Sequence, residues 1–135
     1  MTRKLKTAVL SLWLILAVAL AARALFAWNQ ARHVPPRILA TVSFAQETGN
    51  IAQALAQGRG FSDPYRQHTG PTAWLAPVYP LLLAGIFRVF GIFTPGAFWA
   101  AAMLNILCSA GVCIPLFFAG KRIGGVTLAA AAAWL

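Results

Sequence analysis

The chain has 135 residues, of which 60% are hydrophobic and 10% charged, and its 11 Lys and Arg against 2 Asp and Glu give a formal net charge of +9. Apolar content this high, in runs this long, excludes an ordinary soluble domain and indicates a lipid bilayer as the solvent. The basic residues flank apolar runs instead of lining one face, which fits anionic lipid headgroups and argues against a nucleic-acid partner.

The N-terminal segment begins with Arg3, Lys4 and Lys6 and continues as an apolar run. A basic start ahead of a run of crossing length predicts a cytoplasmic N-terminus at 1–7 and a first transmembrane helix over 8–28. A cleaved signal peptide, with "ALA" at 19–21 as its processing site, is the alternative. In the first interpretation the chain emerges on the outer side of the membrane near residue 29.

A polar stretch over 29–76 is the predicted first external loop. Within it, Ser43 and Gln46 form an S-x-x-Q capping pattern, and Gly58 supplies a stop, so a helix is predicted over about 43–57. Its apolar residues recur at helical spacing, which predicts an amphipathic helix lying along the membrane surface. That apolar stripe consists of Phe44, Thr48, Ile51, Ala52 and Leu55.

Three further apolar stretches follow the loop and predict transmembrane helices over 77–93, over 97–120 and from 124 to 135. Trp74 and Tyr79 mark the membrane interface at the start of the first of these. Because the last stretch has no cap or polar tail, the chain is expected to be the front part of a longer membrane protein, with its fourth helix truncated.

The first of these three stretches is short, so a segment that dips into the bilayer and returns is an alternative to a crossing. Three crossings before Lys121 and Arg122 would put these two residues outside, against the positive-inside rule, whereas a returning segment would put them inside. Arg88, near the inner end of 77–93, favours the three crossings.

Both carboxylates of the chain fall in the predicted external loop. Glu47 lies in the first turn of the predicted helix, where it is a candidate general base for a hydroxyl held at the interface; a solvated surface charge is the alternative. Asp63 precedes Pro64 in a turn-opening pair, which predicts a structural role. Arg59 and Arg66 are candidates for binding a lipid phosphate, with general attraction to headgroups as the alternative.

No metal site is predicted from the sequence. His33 and His68 are far apart and lack a neighbouring ligand, and Cys108 and Cys113 point to different sides of one predicted helix, as small buried apolar residues would. No cofactor is identified, and the sequence neither indicates nor excludes a divalent metal.

The order of these features is more specific than any one of them. "QETGNIAQALAQGRGF" followed by "PTAWLAPVYPLLLAGIFRVFG" resembles the N-terminal part of the GT-C superfamily of polytopic glycosyltransferases, in particular bacterial relatives of dolichyl-phosphate-mannose protein mannosyltransferases. In those proteins the first external loop looks like D-E-x-x-Y, then A-x-x-L-x-x-G and a Pro-rich entry into the next helix. Glu47 fits the second acid, whereas Gln46 and Asn50 depart from the first acid and the tyrosine. The other matching positions are Ala52, Leu55, Gly58, Pro77, Tyr79, Pro80, Leu83, Phe90 and Gly91.

This resemblance implies an all-α, polytopic protein of the bacterial inner membrane, with 29–76 outside and this chain as a truncated GT-C module. It implies an enzyme that transfers a sugar from a polyprenyl-phosphate donor to an acceptor hydroxyl of a glycan, lipid or protein on the outer face. Glu47 would act as the general base. Arg59 and Arg66 are the candidate partners of the donor phosphate, although the motif fixes neither. The alternative is a small non-catalytic helical membrane subunit or a transporter fragment.

Overall fold

The computed structural model describes residues 11–33, 44, 46–65 and 67–134, and within these ranges the fold is all-α, as predicted. No strand occurs in the described ranges, where one isolated antiparallel bridge joins Ser62 and Pro71. The helices are α1 (Leu12–His33), α2 (Gln46–Ala56), α3 (Val78–Phe90), α4 (Pro95–Gly111) and α5 (Cys113–Trp134).

Two compact units divide the chain. One unit is Gln30–Met103 and contains α2, α3 and the loop that joins them. The other takes the chain up to Asn29 and from Leu104 onward, and it contains most of α1, the end of α4 and all of α5. Each unit buries its own apolar core, and the candidate site residues Glu47 and Arg59 both lie in the first.

The apolar face of α2 is buried against α3. Ile51 and Ala52 have no exposed surface, and Leu83 of α3 is equally buried. The prediction that this face of α2 contacts the membrane surface is therefore corrected, because α3 offers a complementary apolar stripe at helical spacing in the same unit. The stripe of α3 that faces this core consists of Pro80, Leu83, Ala84 and Phe87.

Three phenylalanines close this core where α2 begins and α3 ends. The ring centroids of Phe44 and Phe87 lie 5.1 Å apart, and those of Phe87 and Phe93 lie 5.2 Å apart. Tilted and edge-on pairs of this kind add roughly 0.5–1.5 kcal/mol each beyond the area that they bury. A Cβ on Gly49 would come within 3.0 Å of the Phe44 Cβ and 3.1 Å of the Phe93 ring. The start of α2 is thus held closely against the end of α3.

Thr94 connects α3 to α4. Its hydroxyl donates to the Phe90 carbonyl at 2.6 Å and accepts a hydrogen bond from the Ala97 N–H at 3.1 Å, which makes Thr94 the N-cap of α4. Pro95 takes the first helical position, where a missing N–H costs no helical hydrogen bond. Gly91 has a φ of 89°, and a Cβ there would lie 2.8 Å from Thr94 Cγ2, so this turn requires glycine.

A break at Val112 separates α4 from α5, inside the range 97–120 that was predicted as one helix. Pro115 supplies the physical reason, because it has no N–H to offer the carbonyl of Gly111 and its ring crowds that carbonyl. The Leu116 N–H reaches the Val112 carbonyl at 3.3 Å, so helical hydrogen bonding resumes within one turn.

The chain bends sharply inside α5 at Gly124 and Gly125. Gly125 has φ 77° and ψ −171°, a combination that glycine alone adopts readily. Residues 113–123 and 126–134 form two arms that pack together, since a Cβ on Gly120 would lie only 2.8 Å from Ala129 Cα. The core of this unit consists of Ile15, Cys113, Phe117, Ala129, Ala130 and Ala133.

Two segments of the described chain are long and apolar enough to cross a membrane, by length and composition. Leu12–His33 has a mean hydropathy of 1.8, and Pro95–Trp134, which contains the break and the bend described above, has 2.0. Only 6% of the most apolar part of the first segment and 17% of that of the second is buried, so most of their apolar surface is uncovered. At 13 residues, α3 falls short of this length.

Candidate functional site

Asp63 holds together the loop between α2 and α3. Its Oδ1 accepts hydrogen bonds from the N–H groups of Thr69 and Gly70, both at 3.1 Å. Its Oδ2 pairs with the guanidinium of Arg59 and lies 3.2 Å from Nδ1 of His68. The residue is buried and adopts a positive φ of 56°. Asp63 therefore closes the loop on itself, in a structural role.

The surroundings of Asp63 lower its pKa below the ordinary value of an aspartate. Burial disfavours the charged carboxyl, but this is outweighed by the Gly70 N–H, by the charges of His68 and Arg59, and by the Thr69 N–H. A carboxylate whose pKa is lowered is a weak acceptor for a hydroxyl proton. Asp63 is therefore poorly suited to abstract one.

Arg59 belongs to the same network. Its Nη1 pairs with Asp63, and its Nη2 donates to Gln57 Oε1 at 2.7 Å. A donor phosphate at this position would meet a guanidinium whose charge is already balanced by a carboxylate. The assignment of Arg59 to the donor phosphate stays a prediction. Arg66, the other residue predicted for this role, lies outside the described residues.

Glu47 lies in the first turn of α2 and has surroundings unlike those of Asp63. Its Oε2 accepts a hydrogen bond from the indole Nε1–H of Trp74 at 2.8 Å. Glu47 is half-buried and Trp74 is 64% exposed, so the pair is open to solvent. A neutral donor thus orients one oxygen of an accessible carboxylate.

Trp74 is a site residue that sequence reasoning missed, because it was assigned only as an interfacial aromatic. Its backbone N–H donates to Thr72 Oγ1 at 3.2 Å, within the turn "PTAW" that positions the indole ahead of α3. Trp74 and Glu47 are 27 positions apart, and no local pattern links a tryptophan to an acid at that distance. The packing of α2 against α3 is what brings their two segments together.

A polar cleft of about 440 Å³ lies along one side of α2. Gln46, Asn50 and Gln53 line it from the helix, and because they recur three and four residues apart they share one face. Glu47 is not among its lining residues. The remaining lining residues are Arg59, Asp63, Tyr65, Gln67, His68 and Phe93.

The chemistry of the cleft suits a neutral ligand that is rich in hydroxyl groups. Its amides supply both donors and acceptors, and the pair of Arg59 and Asp63 adds no net charge. Asn50 fixes the cleft wall, since its Nδ2 donates to the Pro64 carbonyl at 2.9 Å. Gln46 and Asn50, the two positions that depart from the glycosyltransferase-like motif, both line this cleft.

A second cavity, of about 330 Å³ and mainly apolar, lies in the other unit beside Arg23. Arg23 Nε donates to Ser109 Oγ at 2.7 Å, and its Nη1 donates to the Ala19 carbonyl at 3.1 Å. These contacts satisfy an arginine inside a predicted crossing, where an unpaired charge would be costly. The arginine therefore joins α1 to α4 within this unit.

The described residues contain no group of three or more His, Cys, Asp or Glu side chains placed to hold a metal ion. Comparison with known proteins found no matching family model, no matching curated protein and no matching solved structure. The geometry around Glu47 and the motif that contains it are therefore the features that bear on function.

Proposed function

We propose that this chain is the N-terminal module of a GT-C-type glycosyltransferase, which moves a sugar from a polyprenyl-phosphate donor to an acceptor hydroxyl on the outer face of the bacterial inner membrane. The two long apolar segments with little buried surface support a multi-pass membrane location. The basic residues at positions 3, 4 and 6 support a cytoplasmic N-terminus, with the loop that carries Glu47 outside.

The observation that carries this proposal is the unequal use of the two carboxylates. Asp63 is committed to the loop by two backbone N–H groups, Arg59 and His68. Glu47 accepts a hydrogen bond from the neutral indole N–H of Trp74 and is accessible. Within the described residues Asp63 uses both of its oxygens, whereas Glu47, which fits the motif, is bonded through Oε2 to the neutral indole of Trp74.

Glu47 is the proposed general base. As the acceptor oxygen attacks the anomeric carbon, its proton passes to the Glu47 carboxylate. The bond between the anomeric carbon and the phosphate oxygen breaks, and polyprenyl phosphate leaves with the electron pair. A positioned base typically contributes about 10²–10⁴ in rate to such a step. Trp74 acts on the carboxylate as a positioning residue.

The polar cleft is the proposed location for part of the acceptor. The amide side chains that α2 presents to it can bond the hydroxyl groups of a glycan or a glycosylated lipid or protein. Gln46, the sequence neighbour of Glu47, belongs to this wall. The donor phosphate needs cationic partners, for which Arg59 and Arg66 are the candidates, Arg59 sharing its charge with Asp63.

A complementation experiment tests the proposal. The protein is expressed from its complete reading frame in a strain that lacks the gene, and the lipid-linked sugar that accumulates in that strain is quantified. Wild type should remove it, whereas Glu47→Gln should leave it at the level of the deletion. Glu47→Asp keeps a carboxylate and should restore part of the turnover. Lys121→Gln, which removes an exposed charge elsewhere, should behave as wild type.

Equal removal of the donor by Glu47→Gln and wild type would overturn the base assignment. A deletion strain that accumulates no lipid-linked sugar would instead favour a non-catalytic membrane subunit or a transporter fragment. Membrane fractions probed for each variant exclude loss of insertion as the cause of lost turnover.

A further inference from the structure

α3 is apolar on two opposite faces, and α2 covers one of them. On the other face, Val78 is 67% exposed and Val89 is 76% exposed. A helix that is apolar all round needs an apolar environment on its free side. The uncovered stripe of α3 consists of Val78, Leu81, Leu82, Gly85 and Val89. Apart from the neighbours Leu81 and Leu82, these residues recur at spacings of three or four, which places them on one side of the helix.

The length of α3 is too small for a crossing. Its 13 residues extend roughly 20 Å at the α-helical rise, whereas the hydrocarbon core of a bilayer is about 30 Å thick. A segment of this length with an uncovered apolar stripe fits the boundary between headgroups and acyl chains, where the apolar face is immersed by about 5–10 Å.

The attachment of α2 to α3 and to the loop before it also opposes a crossing. In its last turn, Arg88 Nη2 donates to the Leu55 carbonyl of α2 at 3.2 Å. Just before its first turn, Trp74 bonds to Glu47, also of α2. Because α2 is packed on α3, a crossing by α3 would draw polar residues of α2, Gln53 among them, into the hydrocarbon, where unsatisfied polar groups are costly.

The distribution of positive charge supports the same placement. If α3 does not cross, the chain crosses with Leu12–His33 and again with the apolar segment that begins at Pro95. Lys121 and Arg122 then fall on the cytoplasmic side, together with the basic N-terminus, as the positive-inside rule favours. With α3 as a crossing, the same two residues would lie outside.

We propose that α3 lies in the outer interface of the bilayer, with its uncovered stripe on the lipid acyl chains and its other face carrying α2. This inference rests on the membrane location in the proposed function and not on the catalysis. It replaces the crossing predicted over 77–93 with a returning segment. Glu47 is thereby held at the membrane surface, where a lipid-borne phosphate is also located.

Depth measurements on single cysteines test this placement. In a Cys108→Ser, Cys113→Ala background of the protein expressed from its complete reading frame, Val78→Cys, Leu81→Cys and Val89→Cys are each labelled with a fluorophore. The protein is reconstituted into phosphatidylethanolamine vesicles that contain some phosphatidylglycerol and lipids brominated at defined acyl positions. Gln53→Cys, on the polar side of α2, is the control.

The three stripe positions should be quenched at one shallow depth, and the control should not be quenched. A difference of roughly 16 Å in depth between Val78 and Val89, which the helical rise gives for a crossing, would overturn the proposal. So would unquenched stripe cysteines that cross-link between copies, because a second copy would then cover the stripe.

A second readout does not depend on the stripe variants. Lys121→Cys in the same background should react with a membrane-impermeant maleimide only after cells are permeabilised. Labelling of Lys121→Cys in intact cells would contradict the proposed topology. Neither readout uses sugar transfer, so their outcomes are separate from those of Glu47→Gln.

Discussion

The indole N–H of Trp74 donates a hydrogen bond of 2.8 Å to Oε2 of Glu47 and so joins the approach to α3 with the first turn of α2. Asp63 contrasts with this, since both of its oxygens are used within its own loop. The two acids of the chain therefore differ in their surroundings: one builds the loop, and the other is oriented and left accessible.

Trp74→Phe should lower the rate of sugar transfer by about tenfold, because the ring is kept while the donor to Glu47 is lost. A hydrogen bond to a charged group contributes about 1.5–3 kcal/mol, and a loss of about 1.5 kcal/mol corresponds to a tenfold lower rate. Steady-state transfer in membranes measures it. The matched control is Trp13→Phe, which changes a tryptophan that is 80% exposed in α1. Equal rates for both variants would show that the indole does not position Glu47.

Asp63→Ala should open the loop that follows α2, since it removes the partner of two backbone N–H groups and of Arg59 and also strains a residue with positive φ. Asp63→Asn keeps an acceptor oxygen and a side chain that tolerates this backbone conformation. Limited proteolysis should therefore cut the alanine variant several times faster than wild type, with the asparagine variant in between. Equal cleavage of all three proteins would contradict the structural role of Asp63.

Acidification should loosen the same loop. The pKa of Asp63 is lowered in the folded state, so its contribution to stability is present above the unfolded value of about 3.9 and is lost as the pH falls through the folded value. Hydrogen exchange of the Thr69 and Gly70 amides should be constant near neutral pH, after correction for intrinsic rates, and should accelerate below about pH 4. Asp63→Asn should abolish this pH dependence, and its persistence would point to another titrating group.

Gly120→Ala should destabilise the α5 arms, because the added methyl would lie 2.8 Å from Ala129 Cα, a backbone atom that cannot move alone. Overpacking of this kind costs about 1–3 kcal/mol. Gly111→Ala is the control in the same unit, since a Cβ there meets nothing within 4 Å. Thermal unfolding in detergent should separate the two variants, and identical midpoints would contradict the close approach of the arms.

Local patterns in the sequence predict much of this fold. The spacing of Ile51, Ala52 and Leu55 predicts α2 and its buried face. Such a stripe indicates that the face is covered, but it does not distinguish lipid from another helix. The structure covers it with α3 instead of lipid. Pro115, which lies inside the range 97–120 predicted as one helix, indicates the break at Val112, because it cannot donate a hydrogen bond to the carbonyl of Gly111.

The candidate site was only half predictable for a related reason. Glu47 stands out because acids are scarce and because it fits a motif, whereas Trp74 becomes a site residue only when α2 packs on α3. The ion pair of Arg59 with Asp63 spans four residues, but the loop that holds it is not a helix, so helical spacing rules do not describe it. Non-local packing determines these contacts.

The decisive measurement is a single-turnover transfer assay in reconstituted vesicles, with the lipid-linked sugar isolated from the deletion strain as donor and wild type compared with Glu47→Gln. If the Glu47 carboxylate takes the acceptor proton, the variant should bind the donor as wild type does and transfer its sugar about 10²–10⁴ times more slowly. Transfer by Glu47→Gln at a rate close to that of wild type would contradict the assignment of Glu47 as the base.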